Sequence, residues 1–477
     1  MRPAKLLPLA FLLLLPRPAL EAAPEGQAGA VPAEVQRGVI KRAIELVQEN
    51  YVFPNKAEAV AKELRKNLEA GKYASLQRPD EFLESVNRDM QAAAGDKHLR
   101  IGNNPRIVDQ LRREAAGGGE PSPEYLKMLH GQNFRLRRVE ALDGNVGYFK
   151  LDNFVEMRFM GAALAGAMEF LRRTSAVILD LTDNGGGHAE TSRFLTSYFL
   201  PDGTVTGESW NRKTGRTEIS RIERAPDAGP VFEMPLFILV SERTASAAEG
   251  VAYTLQQLKR AVIVGRATKG MANPGEQFPI DDRFFITVPT TLIKNAVSGT
   301  NWEGTGVAPE IVIAPEKALT KAMAEALAAL ARTNPVDSAR LSFLAAGYEA
   351  ELAPREAPTG LLEQCVGEYE GGRRIALECG GLVFRYGDLA RNLTFMGDGV
   401  FLVEGRKDYR LSFPIEAGKA AALEVLWYDG TSDRFISISR AARIEHVPNR
   451  PHREDGRRDR ASKPMTQKKE SLPALAA

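Results

Sequence analysis

Apolar residues in the first hundred positions recur every three or four residues, which is the spacing of one face of a helix. Three segments carry this pattern: Val35–Val47, Lys56–Ala70 and Pro79–Ala94. Together they predict a helical bundle over residues 34–104. Residues 105–144 are polar and rich in glycine, and for them we predict a helix and a linker.

The pattern changes at Asn145, where short apolar runs rich in β-branched residues begin to alternate with helical spacing. The predicted strands are Val146–Leu151, Ala176–Leu181, Leu236–Val240, Ala261–Val264 and Phe284–Val288, and the clearest predicted helices are Met157–Leu171, Ala247–Leu258 and Glu316–Arg332. Such alternation predicts an α/β layer architecture with largely buried strands. We assign it to one domain, residues 145–335.

The last third of the chain has a different pattern. Residues 360–443 contain repeated short strand signals, many glycines and few helix signals, which predicts a small all-β barrel or sandwich. Residues 446–477 are charged and contain almost no core residues, so a disordered tail is predicted there.

The N-terminus has the pattern of a secretory signal peptide. Arg2 and Lys5 precede the apolar run Leu6–Leu15, and small residues follow it. The run is too short to span a bilayer. Residues 1–22 therefore predict an exported protein, periplasmic or extracellular, with no stable membrane insertion after the signal is removed.

Composition narrows the class of partner. The chain is 44% hydrophobic and 26% charged, which is typical of a globular protein. It has 63 basic and 61 acidic residues, so it lacks the basic surplus that a nucleic-acid partner requires. No nucleic-acid partner is predicted, and the oligomeric state is not indicated.

The two cysteines flank a predicted hairpin. Cys365 and Cys379 are equally far from Gly372 in sequence, so a hairpin centred on that glycine would place them opposite each other, close enough to bridge. In an exported protein this predicts a disulfide, with two buried free thiols as the alternative.

Three glycines follow the predicted strand Ala176–Leu181, in the sequence Asp183-Asn184-Gly185-Gly186-Gly187. Glycines allow a sharp turn that presents bare N–H groups, which can bind a phosphate or the oxyanion of a tetrahedral intermediate. The spacing fits neither a Walker loop nor a dinucleotide motif, so no cofactor is predicted. An ordinary strand-to-helix turn explains the glycines equally well.

Ser246 lies between the predicted strand Leu236–Val240 and the predicted helix Ala247–Leu258. With Glu249 three residues later it forms a capping-box pattern, and one interpretation is that the serine only caps the helix. A serine on a strand-to-helix turn is also how a nucleophile is exposed. The amide of Ala247 would then point toward the same anion as the glycine turn.

Two further residues are ambiguous when taken singly. Glu303 is a glycine-flanked acid, and a lone glutamate is usually solvated. His98 ends the predicted bundle, and a lone histidine is more often structural than catalytic. No metal site is predicted, because the chain has no His-x-x-x-His, no Cys-x-x-Cys and no clustered carboxylates in sequence.

Taken together, these stretches resemble a known family. Asp-Leu-Thr-Asp-Asn-Gly-Gly-Gly, Thr-Ala-Ser-Ala-Ala-Glu, Arg-Ala-Val-Ile-Val-Gly and Gly-Thr-Gly-Val-Ala-Pro-Glu occur in the order found in the core of tail-specific (C-terminal-processing) serine peptidases. The early Asn50–Pro54 and Asp96–Arg100 resemble the branch that includes tricorn-type proteases and interphotoreceptor retinoid-binding protein modules. The resemblance implies a ClpP/crotonase-like α/β peptidase core.

The resemblance also implies roles for individual residues. In the tricorn-like branch a histidine from the helical bundle is the base, and a glutamate orients it. Carried over, this gives Ser246 as nucleophile, His98 as general base and acid, and Glu303 as support. Gly186 and Ala247 are the implied oxyanion donors.

Two lysines are secondary candidates. The bacterial branch uses a lysine as base, but the matching position here is Met271, and Lys269 lies two residues early. Lys97 stands where tricorn-like proteases carry a helper serine.

The resemblance predicts an exported serine-type peptidase that hydrolyses peptide or protein substrates through an acyl-enzyme. Residues 105–144 are too few for the PDZ module that processing proteases often carry. Two alternatives stay open: a non-catalytic binding protein for retinoid-like or fatty-acyl-like ligands, and an esterase or amidase for small substrates.

Overall fold

The computed structural model describes residues 29–117, 120–225 and 228–438. The predicted signal peptide (1–22) and the predicted disordered tail (446–477) lie outside these residues.

The N-terminal part is helical, as the periodicity predicts. Its elements are α1 (Ala33–Asn50), α2 (Pro54–Glu69), α3 (Pro79–Ala94), β1 (Arg100–Asn103), α4 (Pro105–Ala115) and α5 (Pro123–Gly131). Proline stands at the first position of α2 and α3, where its missing N–H costs nothing and its fixed φ suits a helix. Gly95 ends α3 in the left-handed conformation with φ 63°. This sharp stop turns the chain into the loop that carries His98.

The central part is an α/β domain. Its elements are β2 (Leu136–Leu142), β3 (Val146–Leu151), α6 (Met157–Leu171), β4 (Ala176–Asp180), α7 (Ala189–Ser197), β5 (Val205–Asn211), β6 (Arg216–Arg221), β7 (Leu236–Val240), α8 (Ala247–Gln257), β8 (Val262–Gly265), β9 (Gly275–Pro279), β10 (Phe284–Pro289), β11 (Thr291–Asn295), β12 (Ile311–Val312), α9 (Pro315–Thr333) and α10 (Ser338–Leu352).

A six-stranded sheet in the order β12-β8-β7-β4-β3-β2 forms the middle of this domain. All neighbouring pairs are parallel except β2 with β3. Every residue of β4 is buried: Val177 and Leu179 pack with α6 and α8, whereas Ile178 packs with α9 and α10. The sheet therefore lies between two helical layers, which explains why β4 and β7 are continuous apolar runs.

The predicted linker is wrong for residues 136–142. These residues form β2, the antiparallel edge strand of the six-stranded sheet. Only Leu136 in this strand is buried, so its sequence has the polarity of a loop rather than the apolar run of a central strand.

The predicted strand at Phe284–Val288 exists, but it lies outside the parallel sheet. It forms β10, which pairs antiparallel with β1 and with β9 in a separate three-stranded sheet. Phe284, Ile286 and Val288 are buried in the core of the helical bundle. The ladder from Arg100–Thr287 to Asn103–Phe284 fastens the His98 loop to the α/β domain. A second small sheet has the order β11-β5-β6.

The C-terminal part is the predicted small β domain, and of the two predicted forms it is the barrel. Its elements are α11 (Leu361–Cys365), β13 (Gly367–Tyr369), β14 (Arg373–Glu378), β15 (Gly381–Tyr386), β16 (Leu389–Gly397), β17 (Val400–Val403), β18 (Tyr409–Ser412), β19 (Ile415–Glu416), β20 (Lys419–Ala420), β21 (Ala422–Trp427) and β22 (Ser432–Ile436). Eight strands form one antiparallel sheet that runs from β13 to β22. An antiparallel bridge from Tyr369 to Ser437 brings its two edges together, so the sheet is nearly closed.

The predicted disulfide is wrong: Cys365 and Cys379 are both free. Gly367 pairs with Ile375, which centres the hairpin on Gly371 rather than on Gly372. Cys365 is buried at the end of α11, before the strand begins, and Cys379 is exposed in the turn after β14. The two thiols therefore never face each other across the ladder.

Within the described residues, no helix combines the length and the apolarity needed to cross a bilayer.

Candidate active site

Ser246 occupies the turn between β7 and α8, at the carboxyl end of the parallel sheet. Its backbone has φ 54° and ψ −120°, a conformation that non-glycine residues rarely adopt and that costs on the order of 1–3 kcal/mol. Three hydrogen bonds fasten the preceding loop to the chain after β4: Ser241 Oγ to Thr182 O (2.6 Å), Thr244 Oγ1 to Leu181 O (2.8 Å) and Ala245 N to Asn184 O (3.0 Å). The strained turn is thus held by the strand beside it.

A buried carboxylate stabilises this turn from the other side. The Ser246 N–H donates to Glu249 Oε2 at 2.7 Å, as the capping box predicts. The same carboxylate also accepts from Thr268 Oγ1 at 2.5 Å and from the amides of Gly270 (2.6 Å) and Met271 (2.9 Å). Burial raises the pKa of Glu249, while these donors act to lower it. Glu249 therefore joins the Ser246 turn to the segment 268–273.

The glycine turn contacts Ser246 directly. Gly186 has φ 100°, and a Cβ there would lie 2.8 Å from Ser246 Cβ and 3.1 Å from the Ala247 nitrogen. Only glycine allows this approach. The Ala247 amide is the first of α8, where N–H groups lack an intrahelical acceptor. The Gly186 amide instead donates to Asn184 Oδ1 at 2.9 Å.

His98 lies in the loop between α3 and β1, and only 4% of it is exposed. Its backbone N–H donates to Asp96 Oδ1 at 2.9 Å, and the Tyr51 hydroxyl donates to Asp96 Oδ2 at 3.0 Å. Neither ring nitrogen of His98 has a hydrogen-bond partner among the described residues. Burial lowers the pKa of His98 to about 3, with smaller contributions from Arg100 and Lys269. The imidazole is therefore neutral at neutral pH.

Glu303 faces the same space. Its Oε2 accepts the amides of Ala272 (2.7 Å) and Asn273 (3.0 Å), whereas its buried Oε1 has no partner in the described part of the chain. Burial, and then the neighbouring Asp96, raise the pKa of Glu303 to about 7. Burial likewise raises the pKa of Asp96.

The structure brings the predicted pair His98 and Glu303 together and adds Asp96 to it. One nitrogen of His98 and one carboxylate oxygen from each of Asp96 and Glu303 all lie within 4.8 Å of one another. Sequence reasoning missed Asp96, Tyr51 and Glu249 as members of the site. The signal for two of them was available, because Tyr51 and Asp96 belong to the two early motifs that carry the family resemblance.

The segment 268–273 connects the Ser246 turn to the His98 cluster. Met271 N–H bonds Glu249, which holds Ser246, and the adjacent Ala272 N–H bonds Glu303. In this conformation the His98 ring does not hydrogen-bond the Ser246 hydroxyl. Ser246 itself is only 9% exposed.

The two candidate lysines lie beside this segment. The Lys97 ammonium donates to the Lys269 carbonyl at 2.6 Å. The Lys269 side chain is exposed overall, and its pKa is lowered by partial desolvation of the ammonium and by Arg100 and Lys97. Met271, at the lysine position of the bacterial branch, is buried, and its carbonyl accepts the Trp302 indole N–H at 3.0 Å.

A groove of about 310 Å³ opens beside the cluster. Phe53, Lys56, Gly95, Asn273 and Glu303 form part of its wall. The groove thus reaches Glu303, whereas neither His98 nor Asp96 lines it.

Two family models match the chain. Residues 145–313 match the model described as peptidase family S41, and residues 33–134 match the model described as the N-terminal domain of this peptidase family in eukaryotic IRBP. Together the two matches cover more than half of the chain.

Individual relatives match shorter stretches. A carboxy-terminal-processing protease of Bartonella bacilliformis is 28% identical over 226 residues, which are 44% of this chain and 51% of that protein. A carboxyl-terminal-processing protease of Synechocystis is 28% identical over 221 residues, which are 45% of this chain and 50% of that protein. The chain thus spans about half the length of these curated relatives.

Solved structures are also similar to the chain. A lipoprotein from Streptococcus agalactiae has a TM-score of 0.41 and 18% identity, with 59% of this chain and 93% of that chain covered. The photosystem II D1 C-terminal processing protease has a TM-score of 0.36 and 16% identity, with 59% and 94% covered.

Proposed function

Because the chain belongs to peptidase family S41, we propose that it is an exported serine-type peptidase that hydrolyses peptide bonds through an acyl-enzyme on Ser246. One observation supports this most directly. Ser246 lies on a strained strand-to-helix turn against Gly186, and the segment 268–273 joins that turn to Glu303, which lies beside the buried His98. Peptides or proteins are the proposed substrates, and residues 1–22 are the proposed export signal.

In the proposed reaction, neutral His98 accepts the proton of the Ser246 hydroxyl while Oγ bonds to the substrate carbonyl carbon. His98 then gives this proton to the leaving amine as the peptide C–N bond breaks. Water, activated by the same imidazole, hydrolyses the acyl-enzyme and restores Ser246.

The surroundings of His98 decide how readily it works as a base. Burial, with smaller contributions from Arg100 and Lys269, disfavours the imidazolium, which is why the pKa of His98 is low in this conformation. An ionised Glu303 stabilises the imidazolium once Glu303 Oε1 and the ring form a hydrogen bond, as in other catalytic triads. The catalytic hydrogen bonds therefore form as substrate binds, which is common for sites that are loose when empty of substrate.

The oxyanion of the tetrahedral intermediate requires N–H donors beside Ser246. The Ala247 amide is one such donor, because it begins α8. Gly186 supplies the second when its amide exchanges Asn184 Oδ1 for the oxyanion. Loss of one such donor typically costs about 3 kcal/mol of transition-state stabilisation.

A fluorophosphonate probe tests the nucleophile. We expect the probe to label the wild-type chain at Ser246, to fail on Ser246→Ala, and to label Ser75→Ala, which alters an exposed serine, like the wild type. Folded wild-type protein that stays unlabelled would favour the hydrophobic-ligand-binding alternative. A small-acyl-ester assay beside a peptide-library digest then separates an esterase from a peptidase.

Labelling rates of base variants test the mechanism. We expect His98→Ala to abolish labelling and Lys269→Ala to retain it, because the Lys269 side chain is exposed and acts on His98 only through its charge. An inactive lysine variant beside an active histidine variant would overturn the assignment of His98 as base.

A further inference from the structure

Asp96, His98 and Glu303 offer more than a catalytic base and its support. An imidazole nitrogen and carboxylate oxygens are ligand types that Zn²⁺ accepts. The three groups converge within 4.8 Å. Asp96 is 1% exposed and His98 is 4% exposed, and both ring nitrogens of His98, together with Glu303 Oε1, are buried without a protein partner among the described residues.

We propose that Asp96, His98 and Glu303 bind a Zn²⁺ ion, and that the bound ion reversibly blocks Ser246 chemistry by occupying the imidazole. The binding site stands independently of the peptidase assignment, whereas the block rests on it. A catalytic base needs only one supporting carboxylate, whereas here two carboxylates surround one imidazole.

Hydrogen-bond donors behind the carboxylates of Asp96 and Glu303 already orient these two ligands. The Tyr51 hydroxyl bonds Asp96 Oδ2, and the amides of Ala272 and Asn273 bond Glu303 Oε2. Metal sites typically have such partners, which fix the direction of each ligand. Here they engage Glu303 Oε2 and leave Oε1 without a partner among the described residues, available to an ion.

The two carboxylates of the cluster favour a divalent ion at this place, against the positive charges of Arg100 and Lys269 near His98. Two carboxylates held together in a buried space repel each other, and a cation between them removes that repulsion. Two ionised carboxylates and a neutral imidazole around Zn²⁺ form a set with no net charge, which lessens the cost of burying them.

Small movements complete the coordination. Zn²⁺ bonds of about 2.0–2.2 Å in a tetrahedron place neighbouring ligand atoms about 3.4 Å apart, so ligand atoms up to 4.8 Å apart have to approach one another when the ion binds. Three protein ligands leave the fourth position to water. The groove beside Glu303 and Gly95 is the entry path.

The bound ion and the catalytic proton compete for the same atom. A ring nitrogen that coordinates Zn²⁺ cannot accept the Ser246 proton, so the nucleophile is not activated. A chelator removes the ion and restores the base.

Calorimetry on a catalytically silent background tests the binding site without any assay of activity. The experiment titrates Zn²⁺ into the full-length Ser246→Ala chain and into the same chain with His98→Gln, Glu303→Gln or His130→Gln added. We expect one Zn²⁺ site in Ser246→Ala, a loss of affinity of about 100-fold or more with His98→Gln and with Glu303→Gln, and no change with His130→Gln. His130→Gln is the matched control, because it also removes one imidazole but lies in α5 against Phe134.

Circular dichroism of each variant establishes that lost binding is not lost folding. If either His98→Gln or Glu303→Gln fails to fold, the Zn²⁺ affinity of the other variant still tests the site. Zn²⁺ binding that survives both ligand substitutions, or no binding to folded Ser246→Ala at micromolar Zn²⁺, would overturn the site. Mg²⁺ in place of Zn²⁺ is expected to bind far more weakly, since it prefers an all-oxygen octahedron.

Probe labelling of the wild type tests the block. We expect Zn²⁺ to suppress fluorophosphonate labelling and EDTA to restore it. Labelling that continues when calorimetry shows the site filled would overturn the block. Wild-type protein that never labels, with or without EDTA, would instead overturn the proposed peptidase, and the calorimetry would still decide the metal site.

Discussion

Glu249 is the residue on which the shape of the site depends most, although it is assigned no chemical step. Its fully buried carboxylate accepts the amides of Ser246, Gly270 and Met271 and the hydroxyl of Thr268. A carboxylate can accept at both oxygens, whereas a glutamine can accept at only one. A glutamine at position 249 would therefore have nearly the same shape as the glutamate but could not accept all four hydrogen bonds.

We expect Glu249→Gln to lower the free energy of unfolding by about 2–4 kcal/mol, because it leaves two buried donors facing an NH₂ group. It should also abolish labelling of Ser246, since the turn and the segment 268–273 lose their common anchor. Urea denaturation and probe labelling measure the two effects. Glu69→Gln, which changes an exposed glutamate at the end of α2, should leave both unchanged. A Glu249→Gln chain as stable as the wild type would contradict the role given to this carboxylate.

Single residues also mark where sequence reasoning stops. Ser246 and Glu303 could be selected only because the stretches that carry them resemble motifs of the peptidase family; taken singly, each is ambiguous. The grouping of Asp96 with His98 and Glu303 could not be predicted, because Asp96 and Glu303 are far apart in sequence and no spacing rule relates them. The disulfide prediction failed for a similar reason: one residue of hairpin register decides whether Cys365 and Cys379 face each other.

At the scale of elements, the glycine turn after β4 and the helix α8 approach each other at Gly186. A Cβ at Gly186 would lie 2.8 Å from both Ser246 Cβ and Ala245 O, and its φ of 100° is unfavourable for any other residue. The two strand ends can therefore adjoin only if this position is glycine.

We expect Gly186→Ala to destabilise the fold by about 1–3 kcal/mol and to prevent labelling, because relief of the clash moves the Ser246 turn. Gly166→Ala is the matched control. A Cβ at Gly166 meets nothing within 4 Å on α6, so this change should raise stability by about 0.5–1 kcal/mol. Thermal denaturation of both variants is the measurement. A Gly186→Ala chain that is stable and labels normally would refute the close approach.

Periodicity identified the elements well but not their sheets. β3, β7 and α6 agree with the predicted bounds, because central strands and amphipathic helices have strong patterns. β10 was predicted as a strand of the α/β domain, and its pairing with β1 was not foreseen. Strand pairing between residues far apart in sequence leaves no local signal, so the position of His98 relative to the α/β domain could not be predicted from its own segment.

At the scale of the whole molecule, β10 of the α/β domain contributes to the core of the helical bundle. Phe284, Ile286 and Val288 from β10 are fully buried among residues of α1, α2 and α3. The Arg212 guanidinium also donates to the Gln48 carbonyl at the end of α1. The predicted boundary between these two parts is therefore a boundary in sequence but not in packing, and the site lies across it.

The barrel, unlike the bundle, has a core of its own. Its buried cluster, which includes Tyr369, Phe401 and Leu423, consists only of residues from the C-terminal part. Its links to the rest of the chain run mainly through α10, for example from Lys407 to Glu351. The two terminal parts should therefore behave differently when they are separated from the chain.

We expect a fragment of residues 29–134 to be largely unfolded, because it lacks the three buried β10 side chains, each of which contributes about 1.5–3 kcal/mol when fully buried. A fragment of residues 354–438 should unfold cooperatively, because it contains a complete core and a nearly closed sheet with few free edges. Circular dichroism with urea titration compares the two. A bundle fragment that unfolds cooperatively by itself would show that the His98 loop is formed without β10. His98 would then be positioned by the bundle alone, without support from the α/β domain.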